Sequence, residues 1–410
     1  MSTFDTKGGA AIAASRLHDG LRQQGVHSTL LVREQLGRDP QVIGPSGRLQ
    51  QGWAKTKGVL DALPLQLYRQ RDPAVNFFPQ WLPGRTRQQV AEHRPDILNL
   101  HWVSGGFVAV EALRGIPQPV VWTLHDMWPM TGGCHYSGTC DRFQQTCGQC
   151  PQLGSHRSWD LSRWTWRRKA RAWHNLSLHL VSPSQWLADQ AQKSMLFRDR
   201  PVTVIPNGLD LDLYRPLSQA TARVVLRLPP SPLLILFGAA NATTDDRKGF
   251  SFLQPTLRRL QHLLPDQEIE LVIFGATRPE HPPDFPYRTH YLGVLSDAPS
   301  LVLTYAAADV FLLPARQDNL PNTIVEALAC GVPCVGFDQG GLPDLIQPEY
   351  NGKLAKPYDG ASLAQGLRWV LADAARRPVL RANARAVAEQ RFGLSQQAAR
   401  YRTLFEGLLP

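Results

Sequence analysis

The chain has 410 residues, 43% apolar and 19% charged, with a formal net charge of +10, a length that exceeds one ordinary hydrophobic core and predicts two domains. No apolar run approaches the roughly 20 residues that cross a bilayer, and Met1-Ser2-Thr3-Phe4-Asp5 lacks the basic start and apolar centre of a signal peptide, so the sequence reads as cytoplasmic. The basic surplus fits nucleic acid, an anionic membrane surface or phosphate-bearing small molecules, and equally a generally basic surface.

Near the start, Gly8-Gly9-Ala10 opens a helix predicted over residues 11–24. A phosphate-cradling loop of this kind follows a strand. Only seven residues precede it, so the first strand is expected to be truncated; the alternative is a short edge strand at Ser2-Thr3-Phe4. Apolar runs predict strands at 28–32, 97–102, 120–124, 179–182 and 202–205. Residues 37–87 are rich in Gln, Arg and Pro and read as an irregular or helical excursion. Further strands are predicted at 233–238, 269–275, 310–313 and 334–337, with helices over 253–264 and 322–329. Short continuous apolar strands between helices argue for parallel sheets covered on both faces. Two such runs predict an α/β protein of two doubly wound domains. Ile205-Pro206-Asn207-Gly208 punctuates the chain, which sets the domains at 1–205 and 206–385, followed by a helical tail over 386–410.

Five groups of residues carry chemistry. Asp318 and Glu326 are eight positions apart across a loop and a helix that follow an apolar strand and precede Gly331-Val332-Pro333. Taken singly, Asp318 would be a helix cap and Glu326 a solvated carboxylate. Together they place acids at the carboxyl end of a strand, where open α/β sheets bind ligands. Asp246-Arg247-Lys248-Gly249 puts cations in another loop that follows a strand. His125-Asp126 follows the strand at 120–124, and His101-Trp102 and Gly8-Gly9 mark neighbouring strand ends. Cys134, Cys140, Cys147 and Cys150 form C-x5-C-x6-C-x2-C within an insert at 132–151. In a cytosolic chain that pattern favours metal or free thiols over disulfides. A structural zinc, another thiolate-bound metal, and reduced packed cysteines all remain open. Finally, Arg163, Trp164, Trp166, Arg167, Arg168, Lys169, Arg171 and Trp173 interleave Trp with basic residues. They read either as a sheet-covering helix or as peripheral contact with an anionic membrane.

These residues resemble the retaining nucleotide-sugar glycosyltransferases of family 4, in a polysaccharide-synthesising branch with a cysteine-rich insert. The resemblance covers nearly the whole chain. It implies the GT-B fold, two Rossmann-like domains facing across a cleft, with the tail crossing back to the first. It also implies hexosyl transfer from a nucleoside diphosphate sugar to a saccharide or lipid-linked saccharide hydroxyl, with retention and with no cofactor required for catalysis. In such an enzyme His125, Asp318 and Lys248 would be catalytic. Gly8, Gly9, Arg247, Lys248, Asn319, Leu320, Glu326 and Gly293 would bind the donor. This chain has Asp318 where much of the family has Glu. It also lacks, within residues 240–244, the Arg that usually precedes the lysine, and Arg247 adjoins Lys248 instead. Nucleic acid is not an expected partner. The alternatives are a non-catalytic metal-stabilised binding module and a GT-B epimerase.

Overall fold

A computed structural model describes residues 1–73, 75–238 and 245–409. The chain divides into one unit of Met1–Pro206 with Gln397–Pro410 and a second of Asn207–Gln396. The last segment joins the first unit from Gln397, not from residue 386. Helix Arg376–Arg391 belongs to the second unit, where Leu380, Ala384, Val387 and Ala388 are buried in its cores.

In the first unit the strands are β1 (Ser2–Phe4), β2 (Leu30–Glu34), β3 (Val42–Ile43), β4 (Leu98–Leu100), β5 (Val120–Thr123), β6 (Leu178–Ser182) and β7 (Val202–Val204). All pair in parallel, in the orders β1-β2-β3 and β4-β5-β6-β7. His101 N donates to Met1 O at 2.9 Å and Thr3 N to Trp102 O at 2.7 Å. These bonds join β1 to the chain leaving β4, so the run reads β3-β2-β1-β4-β5-β6-β7. Residues 2–4 thus form a short strand, and β1 is not the edge strand offered as the alternative. Three residues suffice because neighbours on both sides take their backbone bonds. Val120, Val121, Trp122 and Thr123 are all buried, as a strand covered on both faces requires. The 37–87 region contains helix Arg48–Asp61 and a short turn of helix at Leu63–Leu67. Tyr401 near the chain end is buried against Leu17, Leu21 and Val121. Its hydroxyl lies 2.9 Å from Thr123 Oγ1.

The second unit has β8 (Leu233–Gly238), β9 (Ile269–Phe274), β10 (Thr289–Tyr291), β11 (Val310–Leu313), β12 (Cys334–Phe337) and β13 (Gly352–Ala355). The order is β10-β9-β8-β11-β12-β13, all parallel. From β8 the chain winds outward through β9 and β10, then crosses back to β11 and winds outward the other way. The reversal falls between β8 and β11, the topological switch point at which such sheets open a crevice. Each unit is thus a Rossmann-like doubly wound sheet.

Candidate functional site

The loops leaving β8 and β11 meet at that switch point. Residues 240–244, where the usual arginine is missing, lie outside the described residues. The chain returns as a single helical turn, Asp246–Lys248, capped by Asp245, whose carboxylate accepts from Arg247 N at 3.1 Å. Gly249 follows at φ +76°, and a Cβ there would lie 1.8 Å from Pro314 O. Only glycine supplies both the left-handed backbone and the room. The contact is zipped further by Arg316 N donating to Arg247 O at 2.8 Å.

This close approach brings Lys248 Nζ to 2.6 Å from Asp318 Oδ2, both side chains being nearly buried. Burial pushes the Asp318 carboxyl up. The Lys248 ammonium, the Arg247 guanidinium and the Asn319 N–H outweigh it and hold the carboxyl below the ordinary range. The Arg247 guanidinium lies 2.6 Å from Asp245 Oδ2 and reaches the Gln317 carbonyl at 3.5 Å. Asn319 and Leu320 are buried beside Asp318. Gly340 and Gly341 clamp the loop from β12. Gly341 N donates to Asp318 O at 2.9 Å, and a Cβ on Gly340, at φ +62°, would lie 2.4 Å from the same oxygen.

Glu326 is 5% exposed, on helix Asn322–Ala329. It is not the solvated carboxylate that an isolated helical Glu would be. Tyr305, from helix Ala298–Ala307, donates to Glu326 Oε2 at 3.0 Å. Burial, and then the Glu326 charge, hold the Tyr305 phenol well above its ordinary range, so it stays a donor. Gly293 follows β10 at the same edge of the sheet, at φ +74°, and its carbonyl accepts from Gly275 N at 2.8 Å. Sequence reasoning missed Tyr305 and Gly340. A lone polar ring in an apolar helix and a Gly-Gly pair after a strand were the available signals.

In the first unit, Gly8, at φ +89°, opens helix Gly9–Gln23 just beyond β1. His101 and His125 follow β4 and β5, with His101 Nδ1 2.9 Å from His125 Nε2. One nitrogen donates and the other accepts, so the pair cannot take up a second proton without setting two donors face to face. Burial lowers His125 to about 4 and, with the neighbouring His125, holds His101 well below its ordinary value. His135 Nδ1 lies 2.7 Å from Asp126 Oδ2, a partner not visible from spacing. Burial pushes Asp126 up, but His135 brings it below the ordinary range.

Helix Leu161–Trp173 turns its central residues inward: Trp166, Lys169 and Trp173 are buried. Arg168 pairs with Glu111 at 2.6 Å and donates to the Pro79 and Gln80 carbonyls. The helix covers the sheet, leaving Trp159 and Trp164 exposed at its margin. Among the described residues no helix is long and apolar enough to cross a membrane.

Two parallel doubly wound sheets, one with a cation–carboxylate pair at its switch point, define a GT-B protein. The family model for glycosyltransferase family 4 matches residues 7–213, and that for group 1 glycosyl transferases matches 231–373. The chain belongs to the family 4 glycosyltransferases. A D-inositol 3-phosphate glycosyltransferase of Xylanimonas cellulosilytica is 34% identical over 48% of this chain and 49% of its own length, so this chain spans about half of that relative. The putative colanic acid biosynthesis glycosyl transferase WcaC of Escherichia coli is 26% identical over 88% of this chain and 87% of its own. Among solved structures, sucrose-phosphate synthase from Thermosynechococcus elongatus superposes with a TM-score of 0.69, at 20% identity, covering 99% of this chain and 95% of that one. Anabaena HepE in complex with UDP gives 0.63, at 18% identity, covering 99% and 100%.

Proposed function

We propose that this chain transfers a hexosyl group from a nucleoside diphosphate sugar to a hydroxyl of a saccharide or lipid-linked saccharide, with retention, in cell-surface polysaccharide synthesis. The observation that carries the reading is the Lys248–Asp318 pair at the β8/β11 switch point, with buried Glu326 on the adjoining helix. Glu326 accepts the two hydroxyls of the ribose. Lys248 holds the diphosphate, with Arg247 beside it. Asp318, Asn319 and Leu320 face the sugar, and Gly293 the nucleotide. In the first unit, Gly8 and Gly9 open a helix whose N-terminus suits a phosphate, and His125 follows β5.

In the reaction the bond from the anomeric carbon to the diphosphate oxygen breaks as the acceptor oxygen attacks the same face. The acceptor proton passes to the departing diphosphate. Charge growing on that oxygen is met by Lys248, which favours the transition state over the bound donor. The structural neighbour HepE, crystallised with UDP and with UDP-glucose, supports a nucleoside diphosphate sugar as donor. WcaC, whose name assigns it to colanic acid biosynthesis, supports a polysaccharide setting.

The test is thermal unfolding against UDP, GDP, ADP and their glucose conjugates. One diphosphate series should stabilise the chain by about 2.7 kcal/mol at a hundredfold excess over its dissociation constant. Lys248→Ala and Glu326→Ala should abolish the shift. A folded chain that responds to none of them defeats the reading. The anomeric configuration of the product, read by NMR, decides retention.

A further inference from the structure

The four cysteines of the insert are spread over residues 134–150, yet all four line one small cavity of about 20 Å³, room for a single small ion. None is in a disulfide. A backbone donor is aimed at one of the sulfurs. Gly132 N donates to Cys147 Sγ at 3.1 Å. Donors of this kind stabilise thiolates and serve as the outer shell of a metal site. The Cys147–Cys150 turn is shaped by Gly148 at φ +140° and Gln149 at φ +47°, and it is anchored by Cys150 N donating to Asp160 at 2.9 Å.

A buried lysine stands beside the cavity, its pKa lowered to about 7 by its burial. Lys169 is fully buried, donates to the Trp128 and Thr131 carbonyls, and lies 3.6 Å above the Trp128 ring. Among the described residues no carboxylate comes within 4 Å of its ammonium. Four thiolates around a divalent ion leave about two surplus negative charges, and a buried lysine would offset part of that.

We propose that Cys134, Cys140, Cys147 and Cys150 bind one divalent metal ion of zinc type, which staples the turns of the insert to one another. Among the described residues only His18, Asp19 and Asp39 bring three ligand atoms within 4.8 Å of one another. The sulfurs must therefore turn inward on binding, to Zn–S distances of about 2.3 Å. The staple acts next to the candidate active site. Cys134 adjoins His135, whose Nδ1 lies 2.7 Å from Asp126 and whose carbonyl accepts from Met127 N at 2.9 Å. The ion is a structural element that holds the His125–Asp126 loop, and it takes no part in transfer.

The full chain is purified in reductant without chelator and its metal content measured. About one equivalent of zinc is expected. Cobalt(II) added to the chelated protein should give a thiolate-to-cobalt charge-transfer band in the near ultraviolet. Zinc, but not magnesium, should restore the melting temperature lost on chelation. Cys147→Ser and Cys150→Ser should abolish the cobalt band, and Cys330→Ser, in the second unit, should keep it. A wild-type chain that stays folded yet binds no metal and gives no cobalt band overturns the proposal, whatever the variants do. So does a band that survives in Cys147→Ser.

Discussion

Lys248→Ala separates the lysine's structural role from its proposed catalytic one. The pair is short, at 2.6 Å, and its side chains are 15% and 11% exposed. Removing one partner of a buried ion pair costs about 3–5 kcal/mol, because the other charge is stranded. Asp318 keeps the Asn319 N–H at 2.9 Å, and the Arg247 charge still acts on it. The expected loss is therefore at the lower end, about 3 kcal/mol. Adding Asp318→Asn removes the stranded charge and should recover most of that loss. Catalysis should not recover, since the diphosphate still lacks its cation, and transfer should stay down by about 10²–10³-fold. Urea unfolding of the parent, both single variants and the double variant gives the coupling energy, and donor turnover is followed in parallel. A double variant as unstable as Lys248→Ala refutes the stranded-charge argument. A Lys248→Ala enzyme that binds nucleoside diphosphate as tightly as the parent refutes the lysine's assignment.

Other outcomes follow from the same geometry. Tyr305→Phe withdraws the donor from Glu326 Oε2 and should cost about 1–3 kcal/mol, with weaker diphosphate binding in calorimetry; unchanged stability and affinity would show that the phenol does not hold the carboxylate. Gly249→Ala forces a side chain into left-handed backbone against Pro314 O and should cost more than about 1 kcal/mol in chemical denaturation; an unperturbed variant would mean that the two loops separate freely. His125 has a folded value of about 4 against 6.5 unfolded, so between these pH values the unfolded chain binds more protons and stability rises with pH. About 3 kcal/mol should be lost as pH falls through that window, and His125→Gln should flatten the slope of melting temperature against pH; an equally steep slope in the variant would rule His125 out as its source.

The strands at 233–238, 310–313 and 334–337 are legible residue for residue in the sequence. A continuous apolar run between turn residues can be satisfied only where both faces of a parallel sheet are covered. The acids at 318 and 326 were legible for a related reason: the local order of strand, loop and helix places both near one strand end whatever surrounds them. β3, β10 and β13 were not legible. They are short, and Thr289, His290 and Tyr291 carry no apolar run; their pairing partners, distant in sequence, make them strands. Nor could spacing aim the charges of Arg247 and Lys248. Asp245 takes one and Asp318 the other, because Gly249 lets two loops some 65 residues apart touch backbone to backbone. The same holds for Tyr305 on Glu326, His135 on Asp126, and four cysteines around one cavity. Residue type and local order decided which chemistry the chain could carry. Contacts between distant segments decided which atoms face one another, since hydrogen bonds and ion pairs depend on distances that packing alone sets.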